Sequence, residues 1–158
     1  MKTCKRVIFL DIDGVVCLYD PASLRVDKLE YSFDACKRVQ KLAILWGAEI
    51  VIMSDRRRFS GDGFILDHEP LLQNGFCALN FHIDIQTPVL GQRYEEVQSW
   101  LDEHPEVEDY LCLEDVELHF AGASKEMIDN LVICDSTTGF TLKLYNETKC
   151  KKQTKHSH

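Results

Sequence analysis

Apolar and polar positions divide the chain into segments of two kinds. Continuous, mostly apolar runs are typical of strands buried on both faces of a parallel sheet, and they occur at residues 6–11, 49–53, 110–113 and 131–134. A further strand is predicted at residues 77–83. Apolar residues recur at helical spacing in residues 33–46, 64–73, 94–103 and 139–145. This alternation predicts an α/β fold with one mostly parallel sheet covered on both faces.

A length of 158 residues corresponds to one domain. We assign residues 1–148 to that domain and expect residues 149–158, which are polar and basic, to form a flexible tail. No apolar run approaches the roughly 18 residues that span a bilayer, and no signal peptide is recognisable. The sequence therefore predicts a cytoplasmic protein, and it gives no indication of oligomeric state.

The net charge bears on the choice of partner, and the cysteine spacing bears on the kind of site. The net charge of −8 disfavours nucleic acid and anionic membranes. The seven cysteines form no Cys-x-x-Cys pair, which favours free thiols over a zinc or redox motif. The histidines are isolated along the chain, and we interpret four of them as structural or surface residues: His68, His82, His104 and His119.

Polar residues follow several of the predicted strands. Asp11, Ser54, the pair Glu114-Asp115 and Asp135 each come directly after an apolar run. In open α/β sheets, ligands bind outside the carboxyl ends of the strands. We therefore expect these groups to face one crevice, with Asp135 as an accessory member.

The triplet Asp11-Ile12-Asp13 is a candidate for phosphoryl chemistry. Side chains two residues apart on an extended strand share a face, and two adjacent carboxylates repel each other unless a cation lies between them. Mg²⁺ suits such a site. One carboxylate can then attack phosphorus while the other transfers protons, and Gly14 permits the sharp turn. The alternative is a pair of turn-capping aspartates.

Candidate phosphate-binding groups lie further along the chain. Ser54 can donate a hydrogen bond to a phosphate oxygen, or it can cap a helix. Three arginines follow at residues 56–58, and any one that turns inward can hold phosphate through two hydrogen bonds. Arg93 can stabilise a transferring phosphoryl group, or it can pair with Glu95 or Glu96 on the surface.

In their order, these segments resemble the four signatures of the haloacid dehalogenase-like (HAD) superfamily. The resemblance covers roughly residues 6–145, and its segments are Val7–Val16, Ile50–Ser54, Arg93 and Leu111–Asp115. The stretch from Ser54 to Arg57 is similar to one in the small HAD-like domains of RNA-repair proteins.

The resemblance implies a Rossmann-like three-layer sandwich that hydrolyses phosphomonoesters with Mg²⁺. It makes Asp11 the nucleophile and a metal ligand, and Asp13 the general acid and base, with its carbonyl also on the metal. Glu114 or Asp115 completes the metal shell. The family more often has Asp where Glu114 stands, and the longer side chain leaves open which of the two binds the metal directly.

The same resemblance assigns substrate binding to Ser54, Arg57 and Arg93. The insertion point between Gly14 and Phe33 is short. The one between Ser54 and Arg93 holds about one helix and one strand, which the core fold itself needs, so the resemblance implies a minimal cap and an open site for macromolecular substrates. Residues 95–129 hold twelve acidic residues against one basic residue. This acidity favours a phosphoprotein, with phosphotyrosine as one candidate, over nucleic acid.

Three alternatives stand beside that interpretation. The first is a phosphatase that repairs nucleic-acid ends. The second is a HAD-like module that binds phosphate without hydrolysing it. The third is a two-component receiver domain, which is disfavoured because the middle strand ends in Ser54 rather than in the aspartate that receivers phosphorylate.

Overall fold

A parallel sheet of five strands forms the centre of the computed structural model, which describes residues 5–22, 29–55 and 68–155. The seven strands of the described chain are β1 (Arg6–Leu10), β2 (Cys17–Tyr19), β3 (Leu29–Tyr31), β4 (Glu49–Ile52), β5 (Phe81–Gln86), β6 (Asp109–Glu114) and β7 (Leu131–Ile133). The central order is β5-β4-β1-β6-β7, and every pairing in it is parallel. Strands β2 and β3 form a separate antiparallel hairpin.

Helices cover both faces of this sheet. The helices are α1 (Phe33–Trp46), α2 (Glu69–Gln73), α3 (Arg93–Asp102), α4 (Lys125–Asp129) and α5 (Leu142–Lys155). Alternate residues of β1 point to opposite faces, so Ile8 and Leu10 pack with α1 and α5, whereas Val7 and Phe9 pack with α3 and α4. The predicted three-layer α/β sandwich is thereby confirmed. Within the described ranges, no helix is long and apolar enough to cross a membrane.

Local signals in the sequence explain the ends of α1. The Ser32 hydroxyl accepts a hydrogen bond from the backbone N–H of Ala35 at 3.1 Å, which caps the first turn. Gly47 ends the helix in the left-handed conformation with φ of 70°, which costs a residue without Cβ little. The observed bounds of α1 therefore confirm the helix predicted at residues 33–46.

The edge strand β5 differs from the strand predicted at residues 77–83. Strand β5 begins at Phe81, because residues 78–80 form a 3-10 turn, and it continues to Gln86 rather than ending at Ile83. It is an edge strand with exposed residues, so its second half lacks the apolar continuity of a central strand. The helix predicted at 64–73 is observed at Glu69–Gln73, and residues 64–67 lie outside the described chain.

The last helix is longer than its apolar pattern indicates. We predicted a helix at residues 139–145 followed by a tail, but α5 extends from Leu142 to Lys155. Tyr145, Thr148 and Lys152 are its buried positions, at the three- and four-residue spacing of one helix face. Two of these three side chains are polar, which is why the hydrophobic pattern ends too early.

Cysteines contribute to the core rather than to cross-links. All six cysteines in the described ranges are free, and four of them are buried. Burial raises the pKa of Cys36 and of Cys134 to about 12. A thiol that stays protonated is a poor nucleophile, so neither residue is suited to a cysteine-based phosphatase mechanism.

Candidate active site

Three neighbouring strands bring the candidate residues to one edge of the sheet. Strand β1 lies between β4 and β6, and the residues at or just after the three carboxyl ends are Ser54, Asp11 and Glu114. The N–H of Asp11 still donates to the Leu113 carbonyl at 3.0 Å, so Asp11 extends the ladder between β1 and β6. Ser54 and Glu114 are fully buried, and Asp11 is 5% exposed.

Three carboxylates meet at this edge. Asp11, Glu114 and Asp115 each place one oxygen within 4.8 Å of the other two. Burial and the charge of Glu114 raise the pKa of Asp11 well above its ordinary value. Burial also acts to raise the pKa of Glu114, but the hydrogen bond from Asp11 and the charge of Arg93 lower it overall. A proton on Asp11 therefore relieves the repulsion here, and a cation can take over that role.

The oxygens of Glu114 already have several hydrogen-bond partners. Its Oε1 accepts the backbone N–H groups of Asp115 at 3.0 Å and Val116 at 3.3 Å. Its Oε2 accepts from Nη1 of Arg93 at 3.0 Å and lies 3.4 Å from Nδ1 of His119. Glu114 thus fixes both the turn after β6 and the guanidinium.

Arg93 is surrounded by acids. Its side chain is 3% exposed, and Nη2 donates to Asp55 at 2.7 Å. Nη1 lies 3.6 Å from Oδ1 of Asp11, and Nε lies 3.7 Å from Glu96. Together with Glu114, four carboxylates contact this one cation. The excess of negative charge favours the binding of a divalent cation.

A tight turn after Asp11 places Asp13 outside the carboxylate cluster. The Ile12 carbonyl accepts the N–H groups of residues 15, 16 and 17, and Gly14 adopts a φ of 84°. Asp13 itself is half-buried and does not belong to the group of three carboxylates. Tyr19 on the β2–β3 hairpin lies close enough that Asp13 adds to the effect of burial in raising the pKa of the phenol.

Gly14→Ala is expected to disrupt the site. A Cβ at this position would lie 2.1 Å from Oδ2 of Asp115, and the positive φ is unfavourable for alanine. The structure must shift Asp115 or the turn, so any catalysis by this site should fall by about tenfold or more. Phosphate release and the melting temperature measure the effect. Gly91→Ala is the matched control, because its φ is also positive but nothing lies within 4 Å of its Cβ.

One sequence expectation for these strand ends is wrong, and another is not tested. Asp135 is exposed, and its Oδ1 accepts from the N–H and hydroxyl of Thr137, so it closes a local turn instead of joining the cluster. Its neighbour Ser136 reaches the site, donating to Oδ2 of Asp115 at 3.0 Å. Arg57 lies outside the described residues, so its predicted role stays a prediction.

The two further acids around Arg93 differ in how far the sequence identified them. Glu96 was named as a partner of Arg93, but the pair is buried rather than on the surface, and Glu96 also accepts the N–H groups of Leu90 at 2.7 Å and Gly91 at 3.4 Å. Asp55, which accepts from Nη2 of Arg93, was not identified. The sequence did offer one signal for Glu96, because residues 93 and 96 are three positions apart on a helix. The signal for Asp55 was its place beside Ser54.

The comparisons with known proteins agree with this geometry. The family model described as the HAD domain in Swiss Army Knife RNA repair proteins matches residues 7–144. That range contains the three clustered carboxylates, Arg93 and all of the central sheet except Arg6. No curated protein and no solved structure matches the chain significantly.

Proposed function

Because the chain belongs to the HAD domains of Swiss Army Knife RNA repair proteins, we propose that it is a Mg²⁺-dependent phosphomonoester phosphatase. The observation that carries the proposal is the cluster of Asp11, Glu114 and Asp115 beside Arg93 at the carboxyl edge of the sheet. Carboxylate oxygens are the ligands that Mg²⁺ prefers, and the surplus of acids over bases in this cluster fits a divalent cation.

The residues that would hold the metal are Asp11, the Asp13 carbonyl, and Asp115 or Glu114. The hydrogen bonds already made by both Glu114 oxygens favour Asp115 as the direct ligand and Glu114 as the residue that orients Arg93. When bound, Mg²⁺ supplies positive charge that offsets the negative charge of the phosphoryl oxygens.

Two chemical steps follow from the aspartates. A carboxylate oxygen of Asp11 attacks phosphorus, the bond to the ester oxygen breaks, and Asp13 gives its proton to that oxygen. Water then attacks the phosphorus of the aspartyl-phosphate, Asp13 takes a proton from the water, and Asp11 leaves as a carboxylate. Inorganic phosphate is the second product.

The proposed phosphate-binding groups act through hydrogen bonds. Nη1 of Arg93 lies 3.6 Å from Oδ1 of Asp11, so a phosphoryl group on Asp11 is formed beside the guanidinium. The hydroxyl of Ser54 is the second donor, and Arg57 is the third. A donor fixed in place before the reaction, as Arg93 is by its four acidic neighbours, stabilises the charge of the transition state.

Two substrate classes follow from different observations. The family description favours a phosphate at an RNA end. The net charge of −8 opposes extended contact with a polyanion and favours a phosphoprotein, including phosphotyrosine. We propose the RNA end first, contacted mainly at its terminal phosphate, so that activity should depend only weakly on salt.

The experiment compares 3′- and 5′-phosphorylated oligoribonucleotides with a phosphotyrosine peptide and an aryl phosphate. Each is incubated with the protein in Mg²⁺ or in EDTA, and released phosphate is measured. We expect Mg²⁺-dependent release that is fastest from one RNA end. Faster release from the peptide would move the assignment to a phosphoprotein phosphatase. Binding of phosphate without release from any substrate would overturn the proposal in favour of a non-catalytic module.

A further inference from the structure

A second group of potential metal ligands lies away from the candidate active site. His82, His104 and Glu106 each place one ligand atom within 4.8 Å of the other two. His82 is the second residue of β5, and His104 follows the end of α3. Helix α3 begins at Arg93, in the candidate active site, and its ten residues extend about 15 Å. This group therefore lies towards the amino ends of the strands, away from the carboxyl ends that carry the candidate active site.

Contacts around His104 fix its orientation and its tautomer. Its ring stacks on the Trp100 indole with centroids 3.6 Å apart and planes 8° from parallel. Its Nδ1 lies 2.6 Å from the Trp100 carbonyl, which can only accept, so Nδ1 carries a proton. Metal-binding histidines commonly donate their second N–H to a backbone carbonyl in this way, and Nε2 is left to bind.

Nε2 of His104 faces a carboxylate. It lies 3.1 Å from Oδ2 of Asp84. Two acceptor atoms at this distance repel each other unless a cation lies between them, and a metal ion can take that position. A separation of 3.1 Å is also close to that between two ligands of one zinc ion with bonds of about 2.0–2.2 Å.

His82 provides a second imidazole. Its ring meets that of His104 edge-on, with centroids 5.3 Å apart. The Asp84 N–H donates to its Nδ1 at 2.9 Å, which places the ring proton on Nε2. Metal binding to His82 therefore requires this hydrogen bond to be exchanged for the bond to the metal.

We propose that His82, His104 and Glu106 form a zinc-type metal site, with Asp84 as an adjoining carboxylate. Two imidazoles and a carboxylate suit Zn²⁺ better than Mg²⁺, which separates this site chemically from the all-carboxylate cluster. A bound ion would tie β5 to the segment that follows α3. The site is independent of the proposed phosphatase activity, so either assignment can fail alone.

The test measures binding of Zn²⁺ and Co²⁺ to the full chain by calorimetry and visible spectroscopy. The background carries Asp11→Asn, His156→Gln and His158→Gln, which weakens the carboxylate cluster by one ligand and removes the terminal histidines as competing sites. We expect one ion per chain, with Co²⁺ bands typical of nitrogen and oxygen ligands and no thiolate charge-transfer band. His104→Gln and Glu106→Gln should each weaken binding by at least about tenfold, whereas His68→Gln should not.

An NMR measurement keeps the test decisive if a variant folds poorly. In the unaltered chain, Zn²⁺ should shift the ring nitrogen resonances of His82 and His104 and leave those of His68 in place. Unshifted rings, unchanged affinity in both variants, or an absence of binding would each overturn the proposal. The contact between His104 and Asp84 would then be an ion pair held by a proton.

Discussion

Asp11→Asn is expected to lower Mg²⁺-dependent phosphate release by at least about 10⁴-fold, because the amide can neither attack phosphorus nor bind the metal as a carboxylate does. The protein should remain folded. Burial and the charge of Glu114 raise the pKa of Asp11, which means that an ionised carboxylate is unfavourable at this position in the folded protein. A neutral amide of nearly the same shape avoids that cost. We expect an unchanged or raised melting temperature in metal-free buffer.

The matched control for this variant is Asp129→Asn, which makes the same chemical change at an exposed residue of α4. It should retain full activity. If Asp11→Asn still releases phosphate at a rate within a few-fold of the unaltered protein, Asp11 is not the nucleophile. If Asp11→Asn is unfolded, the loss of activity carries no information about chemistry, which is why melting temperature is measured beside it.

Lys152→Ala is expected to cause the largest loss of stability. Nζ of Lys152 donates to Oδ1 of Asp109 at 2.9 Å, to Oδ1 of Asn130 at 2.9 Å and to the Tyr110 carbonyl at 3.1 Å. The ammonium and the carboxylate are both buried. Removing the ammonium takes its neutralising charge away from the buried Asp109 carboxylate, which costs about 3–5 kcal/mol and lowers the melting temperature by roughly 10 °C.

Two further variants separate charge from packing in this prediction. Lys143→Ala removes an exposed lysine from the same helix and should change the free energy of unfolding by no more than about 0.5 kcal/mol. Lys152→Met keeps most of the aliphatic chain and should be nearly as unstable as Lys152→Ala, because both variants lose the ammonium beside Asp109. Equal unfolding free energies for the Lys143 and Lys152 alanine variants would contradict the assigned ion pair.

The central sheet was predictable because each of its inner strands is a continuous apolar run in the sequence. Residues of β1 and β6 are almost entirely buried, so selection for apolar side chains acts on consecutive positions. The same strands end in Asp11 and in Glu114-Asp115, and parallel strands present their carboxyl ends at one edge. The convergence of these three acids therefore follows from the pattern alone.

Contacts between distant elements were not predictable in this way. Nothing near Lys152 in the sequence indicates that its ammonium meets Asp109, since the pairing depends on where α5 packs against the sheet. The approach of His82 to His104 likewise depends on the packing of β5 against α3, and no fixed spacing along the chain encodes it. The sequence does not single out Ser136, because its neighbour Asp135 is by residue type the stronger candidate for a group at the site.

The most direct test of the phosphatase account is the detection of phosphate bound to Asp11. With an aryl phosphate, whose leaving oxygen needs little protonation, the Asp13→Asn variant should still accept a phosphoryl group but release it slowly, because the base for the second step is missing. After acid quenching of a reaction with radiolabelled substrate, the account predicts label on the peptide that contains Asp11, in a linkage cleaved by hydroxylamine. Label on another residue, or released phosphate without any labelled protein, would contradict an aspartyl-phosphate at Asp11.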